Sequence, residues 1–156
     1  MKKPEIGIGA VVFRGDDVLM IRRGKPPRKG DWAIPGGRQE LGETVAEGAR
    51  REVEEETGVR CRIGGLIDVV DGINRDASGQ LLYHYTLVDL WGEWLSGEAV
   101  AGSDAMAACF MGAAEIARLD LWPETRRIIE MARRLRAEAG QADRAAEREA
   151  ARKPTP

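Results

Sequence analysis

Glu52, Glu55 and Glu56 are spaced i, i+3 and i+4, which on a helix places three carboxylates on one face about one turn long. Ala46, Ala49 and Val53 make a separate apolar stripe on the same segment. One helix can therefore bury one side and concentrate negative charge on the next. Like charges at this spacing repel unless a cation sits among them. Hard carboxylate oxygens converging on a point suit Mg²⁺ or Mn²⁺. A solvated acidic face is the competing reading of the carboxylates alone.

The elements around this helix must position it. Residues 6–14 read as a strand with glycines where neighbouring backbone can come close, and Gly15-Asp16-Asp17 turns the chain into a second strand, a hairpin. A basic loop follows, Arg22-Arg23-Gly24-Lys25-Pro26-Pro27-Arg28-Lys29, whose charges are either solvated or meet an anionic substrate. Trp32-Ala33-Ile34 is a short strand ended by Pro35 and a Gly36-Gly37 turn. The acidic helix is expected to begin at Glu43-Thr44, with acid in its first turn, and to stop at Gly58 in a left-handed C′ position.

Beyond it, residues 60–70 read as a strand, 71–80 as a polar connection and 81–90 as the strongest strand, extendable through Trp91 to Leu95. Residues 107–111 and 113–119 give a short strand and a short helix. Trp122-Pro123 opens a last helix whose Ile128, Ile129, Met131, Ala132 and Leu135 suit docking on a sheet. Strands alternating with helices, at least one pair being a hairpin, predict an α/β fold: an α/β/α sandwich around a mixed sheet. The expected domain is 1–139. From 140 to 156 the residues are almost all Ala, Arg, Glu, Gln and Asp, and a frayed or disordered polar tail is expected.

At 156 residues the chain is long enough to bury a core, and its net charge of −2 argues against a nucleic-acid footprint. No apolar run reaches the length of a membrane span, and no signal-peptide pattern opens the chain. Cys61 and Cys109 have no metal-ligand spacing and frame no disulfide set, so a reduced, cytoplasmic protein is expected.

The helix and its flanks follow one fixed pattern: Gly37, five residues, Glu43, seven residues, Arg51-Glu52, an aliphatic, any residue, Glu55-Glu56, any residue, Gly58, an aliphatic. In this the chain resembles the Nudix hydrolases, and every defined position of their signature agrees. The resemblance implies the Nudix fold and metal-assisted hydrolysis at the pyrophosphate of a nucleoside diphosphate joined to another group. It implies Mg²⁺ or Mn²⁺ held by Glu52, Glu55 and Glu56, with the Gly36 carbonyl as a further ligand. Arg51, turned toward Glu43, is expected to tie the loop to the helix beside Gly37. Glu47 and Glu54 are read as surface charges.

The general base is open between Glu52 and later acids, Glu93, Glu98 or Asp104. Where many relatives carry an acid just ahead of the strand at 107–110, this chain has alanines, and Asp104 is the nearest acid upstream and a candidate ligand. Residues 83–89 and 97–104 look like those of the ADP-ribose pyrophosphatase group, although the proline or tyrosine that marks some subfamilies is missing around Asn74-Arg75-Asp76. ADP-ribose or a similar nucleoside diphosphate sugar ranks first as substrate. A MutT-like nucleoside triphosphate pyrophosphohydrolase ranks second, and a non-catalytic nucleotide-binding module third. Trp32, Tyr83, Tyr85 and Trp91 can stack on a base, with sheet packing the preferred role for each, and His84 is read as a packing residue. The substrate-binding residues are unknown at this level. The partners implied are a small nucleotide and a second copy in a homodimer, with no nucleic acid or membrane.

Overall fold

A computed structural model describes residues 3–102, 104–152 and 154. β1 (Glu5–Arg14) and β2 (Asp17–Arg23) form the expected hairpin, turning at Gly15 with φ 60°. The two strands stay paired only at Phe13↔Val18 and Arg14↔Asp17. Beyond that point they part. The edge of β1 is taken over by β4 (Gly36–Arg38), while β2 turns to β3 (Trp32–Ala33) and β7 (Ala105–Met111). On its other edge β1 pairs in parallel with β6 (Leu81–Ser96), which pairs antiparallel with β5 (Arg60–Arg75). The result is one mixed sheet with β3-β2-β1-β6-β5 as its main path. The parting of β1 from β2 is what opens room for a site within it.

Strand alternation feeds both faces of this sheet. Ile8, Ala10 and Val12 of β1 join Leu19 and Leu90 under α1 (Val45–Thr57), which contributes Ala49 and Val53. Val11 and Phe13 face the other way, with Met20, Trp91 and α3 (Pro123–Arg152), whose Ile128, Ile129 and Ala132 are buried. The short α2 (Ala113–Ala117) adds Ile116 on that side. Helices on both faces of a mixed sheet are the expected α/β/α arrangement, and both faces of β1 are apolar because both are covered.

Several boundaries differ from the sequence reading. Gly36-Gly37 is not a turn but strand, paired with Ile8 and Gly9. A Cβ at Gly36 would overlap the Ile8 carbonyl, so glycine serves close backbone approach here. Glu43 lies ahead of α1 rather than in it. Thr44 is the N-cap, its hydroxyl accepting from the Glu47 N–H while the Glu47 carboxylate accepts from the Thr44 N–H, a capping box. Glu47 is exposed, as expected, and also serves the helix start. Gly58 closes α1 at φ 73°, as expected.

Residues 71–75 continue β5 and pair with 81–86, confining the turn to 76–80, where Asp76 accepts from the Ser78 and Gln80 N–H groups. Periodicity missed this because β5 exposes Val69 and Ile73 on an uncovered stretch of sheet. The expected frayed tail is, as far as Arg152, a continuation of α3, since Ala, Glu, Arg and Gln are strong helix formers even where nothing is buried. Residues 153, 155 and 156 lie outside the described residues.

Candidate active site

The C-terminal half of α1 meets the Gly36-Gly37 strand at one end of a cavity of about 770 Å³. Glu52 and Glu56 both line it, as does Asp104 just ahead of β7. Glu55, one turn from Glu52, is exposed. Gly37 is where the loop yields to the helix: a Cβ there would overlap the Glu52 carboxylate. Glu56 is buried at 7% exposure and accepts from the Gly36 N–H at 2.9 Å.

Arg51 organises the acids around it. Its Nε–H and Nη2 donate to both oxygens of Glu43, at 2.9 and 2.6 Å, and Nη2 also reaches the Arg38 carbonyl at 2.9 Å. Its Nη1 donates to Glu52 at 2.7 Å and to Glu55 at 3.2 Å. One guanidinium therefore joins the loop before α1 to two of the three box carboxylates, a fork geometry that lysine cannot supply. Gly48 makes this possible from the helix side, because a Cβ there would press on the Glu43 carboxylate and on Ile8.

The electrostatics divide these acids. Hydrogen bonds from Arg51 and from the Glu40 N–H hold Glu43 down to about 2. Burial raises Glu52 against the opposing Arg51. Burial likewise pushes Glu56 up to about 7, with the Gly36 N–H and Arg23 opposing and Glu52 and Asp104 adding to it. Burial and the like charge of Glu52 both disfavour an ionised Glu56 carboxylate on its own, so a cation beside it is favoured.

Among the described residues, no three acidic, histidine or cysteine side chains converge on one point. Glu52 and Glu55 each give one oxygen to Arg51 and Glu56 gives one to Gly36, which leaves the second oxygen of each outside these bonds. The donors present, carboxylates beside a glycine backbone, are of the hard type that suits Mg²⁺ or Mn²⁺.

Of the other acids considered, Asp104 pairs with Lys25 at 2.7 Å at the cavity rim. Glu93 and Glu98 are elsewhere. Glu93 is bonded to Arg136 of α3 at 2.6 Å, and Glu98 to Arg14 at 3.3 Å, neither of them at the cavity. The rest of the cavity brings together residues whose roles the sequence left open, and Asp89, which it did not single out. Arg23, Lys25 and Arg28 of the basic loop form one wall, with the Arg28 guanidinium 4.6 Å over the Trp122 ring. Trp32, Tyr83 and Tyr85 line it, whereas Trp91 is in the core beneath α3. Asp89, in the middle of β6, also opens into it. The available signal for Asp89 was its register: Leu87, Asp89 and Trp91 share one face of a strand whose other members there are apolar.

A family model for the NUDIX domain matches residues 3–132. The chain belongs to the Nudix family. Divalent-metal dependence is general among Nudix hydrolases. Among its members, the ADP-ribose pyrophosphatase of Methanocaldococcus jannaschii is 36% identical over 107 residues, covering 69% of this chain and 61% of that one. This chain thus spans less than two thirds of that relative's length. The crystal structure of a MutT NUDIX hydrolase from Burkholderia pseudomallei superposes with a TM-score of 0.70 at 30% identity, covering 83% of this chain and 98% of that one. The NUDIX domain of Shewanella oneidensis NrtR, solved with ADP ribose, has a TM-score of 0.69 at 23% identity, covering 86% and 89%, and shares the fold. No helix among the described residues is long and apolar enough to cross a membrane.

Proposed function

We propose that this protein is a Mg²⁺- or Mn²⁺-dependent Nudix pyrophosphohydrolase acting on a nucleoside diphosphate joined to another group, with ADP-ribose or a similar nucleoside diphosphate sugar the preferred substrate. The observation that carries this is the buried Glu56 beside Glu52 and Gly36, at the end of a nucleotide-sized cavity walled by Arg23, Lys25 and Arg28. Glu52, Glu55, Glu56 and the Gly36 carbonyl would hold the cation, with Asp104 as a further ligand. Such an ion neutralises pyrophosphate charge and lowers the pKa of a water. The protein's own part is positional. Arg51 and Glu43 fix the start of α1 against the loop, Gly37 leaves room for the Glu52 carboxylate, and the basic wall receives phosphate oxygens.

For the base that takes the proton from water, Glu52 and Asp104 remain in reach of the cavity. Support for the substrate comes from the relative named ADP-ribose pyrophosphatase and from the bound ADP ribose in the NrtR domain. The second reading, a nucleoside triphosphate pyrophosphohydrolase, is favoured by the MutT structure at 30% identity. A cytoplasmic location and a homodimer go with either reading, and light scattering tests the second.

Product analysis over a nucleotide panel, with and without EDTA, separates them. AMP plus ribose 5-phosphate from ADP-ribose supports the first reading, and NMP plus pyrophosphate from a triphosphate supports the second. Turnover unchanged by EDTA refutes the metal-dependent mechanism. Tight binding without any turnover favours a binding module.

A further inference from the structure

Asp89 is a carboxylate in an apolar place. It is 7% exposed, on the face of β6 that supplies Leu87 and Trp91 to the packing beneath α3. Its side chain lies across Gly9 of β1, where a Cβ would overlap its Oδ1 and crowd Ile34. That missing side chain lets the carboxyl lean out over the sheet, and the cavity is where it opens. No donor among the described residues bonds it. The guanidinium whose charge acts on it, Arg127, is committed to Asp68 at 2.9 Å and to Glu124 at 2.7 Å. No described residue supplies this acceptor with a donor, so cavity water or a ligand must.

Position says which. Gly36, Gly9 and Asp89 are register partners on three adjacent strands, so two strand spacings, about 10 Å, separate the phosphate end from Asp89. The lining there includes the flat or apolar Trp32, Ile34, Leu87 and Ile128, alongside Glu124 and Thr125 of α3. An aromatic ring can pack on the first four and leave only its edge in need of a partner.

We infer that Asp89 is a specificity-determining residue whose carboxyl accepts a hydrogen bond from the amino group of an adenine base seated against β1 and β6. The inference rests on the proposed nucleotide substrate, and it predicts discrimination by the base edge. Burial pushes the Asp89 carboxyl up to about 7, against Arg127 and assisted by Asp68 and Glu124. A donor amine therefore also helps to keep it ionised at neutral pH.

The test is equilibrium binding without metal, comparing AMP with purine riboside 5′-monophosphate, which lacks only the amino group. The wild-type chain is expected to prefer AMP by about ten- to a hundredfold, the range of a hydrogen bond to a charged group. D89A should abolish the preference by weakening AMP alone. The isosteric D89N, which keeps one acceptor oxygen without the charge, should retain a fraction of it, and its melting curve shows that the fold is intact. Equal binding of the two ligands by wild type, an unchanged preference in D89A, equal weakening of both ligands, or no binding of either overturns the inference. Discrimination by a chain that hydrolyses no nucleotide refutes the hydrolase reading and leaves the inference standing.

Discussion

Asp89→Asn should make the protein more stable, and only above a defined pH. The side chain keeps its shape, so packing against Gly9 and Ile34 is unchanged, and what differs is the charge. In an unfolded chain the carboxyl ionises near ~3.9. In the fold burial holds it at about 7, and the charges that act on it are Arg127 and Glu124 of α3 and Asp68 of β5. Between these values the unfolded chain has released a proton that the native state retains, so native stability falls as pH rises through this window. The sign is opposite to that of a salt-bridged aspartate. Roughly three pH units at ~1.4 kcal/mol each sum to about 4 kcal/mol above pH 7.

Asparagine escapes this penalty, so D89N and wild type should be about equal near pH 4 and separate progressively to about 4 kcal/mol at pH 8, roughly 10 °C in Tm for a chain of this size. Glu56, also held at about 7 by burial, bends both stability curves alike and cancels in the difference. Urea unfolding of both proteins at pH 4.5, 6 and 8 measures it. A difference that is flat with pH, or largest at low pH, refutes the assignment of Asp89 as a buried, unpaired acid.

Four further outcomes follow from the site. Glu56→Gln should cost at least about a hundredfold in turnover while the protein melts no lower than wild type, since the residue faces the cavity end and not the core; normal activity or an unfolded variant argues against the ligand role. Gly37→Ala drives a methyl into the space of the Glu52 carboxylate and should lower kcat by about tenfold or more, with binding of AMP little changed. Arg51→Ala leaves Glu43, Glu52 and Glu55 without their shared donor and should lower both Tm and activity, with Arg51→Lys intermediate because it restores charge but not the fork. Among the base candidates, Glu52→Gln and Asp104→Asn should change the pH–rate profile, whereas Glu98→Gln, bonded to Arg14 away from the cavity, should leave it unmoved.

The acidic helix could be read from spacing because its information is local. An apolar stripe at Ala49 and Val53, three carboxylates one turn apart and a stop at Gly58 are all expressed within one stretch of chain. The sheet edges could not, because pairing partners decide them. Gly36-Gly37 has the composition of a turn and is strand only because β1 parts from β2 and presents Ile8 and Gly9 to it. Residues 71–75 have the polarity of a loop and are strand because residues 81–86 lie alongside. The base candidates separated for the same reason: Glu93 and Glu98 are near Asp104 in sequence, but β6 and the loop after it carry them to Arg136 and Arg14 instead.

Asp89 sharpens the point, since its meaning lies in a glycine eighty positions earlier in the chain. In sequence it is one polar residue in an apolar strand, which ordinarily marks an outward-facing position. Its register with Gly9 turns it inward, and the absence of a Cβ on Gly9 gives its carboxyl somewhere to go. The same parallel pairing that completes the sheet thus sets an unpaired acid two strands from the acidic helix's contact at Gly36. A fold selected for stability alone would place valine or leucine there, as β6 does at Val88 and Leu90 on its other face. The retained carboxylate is better explained by what the cavity must distinguish than by what the sheet needs.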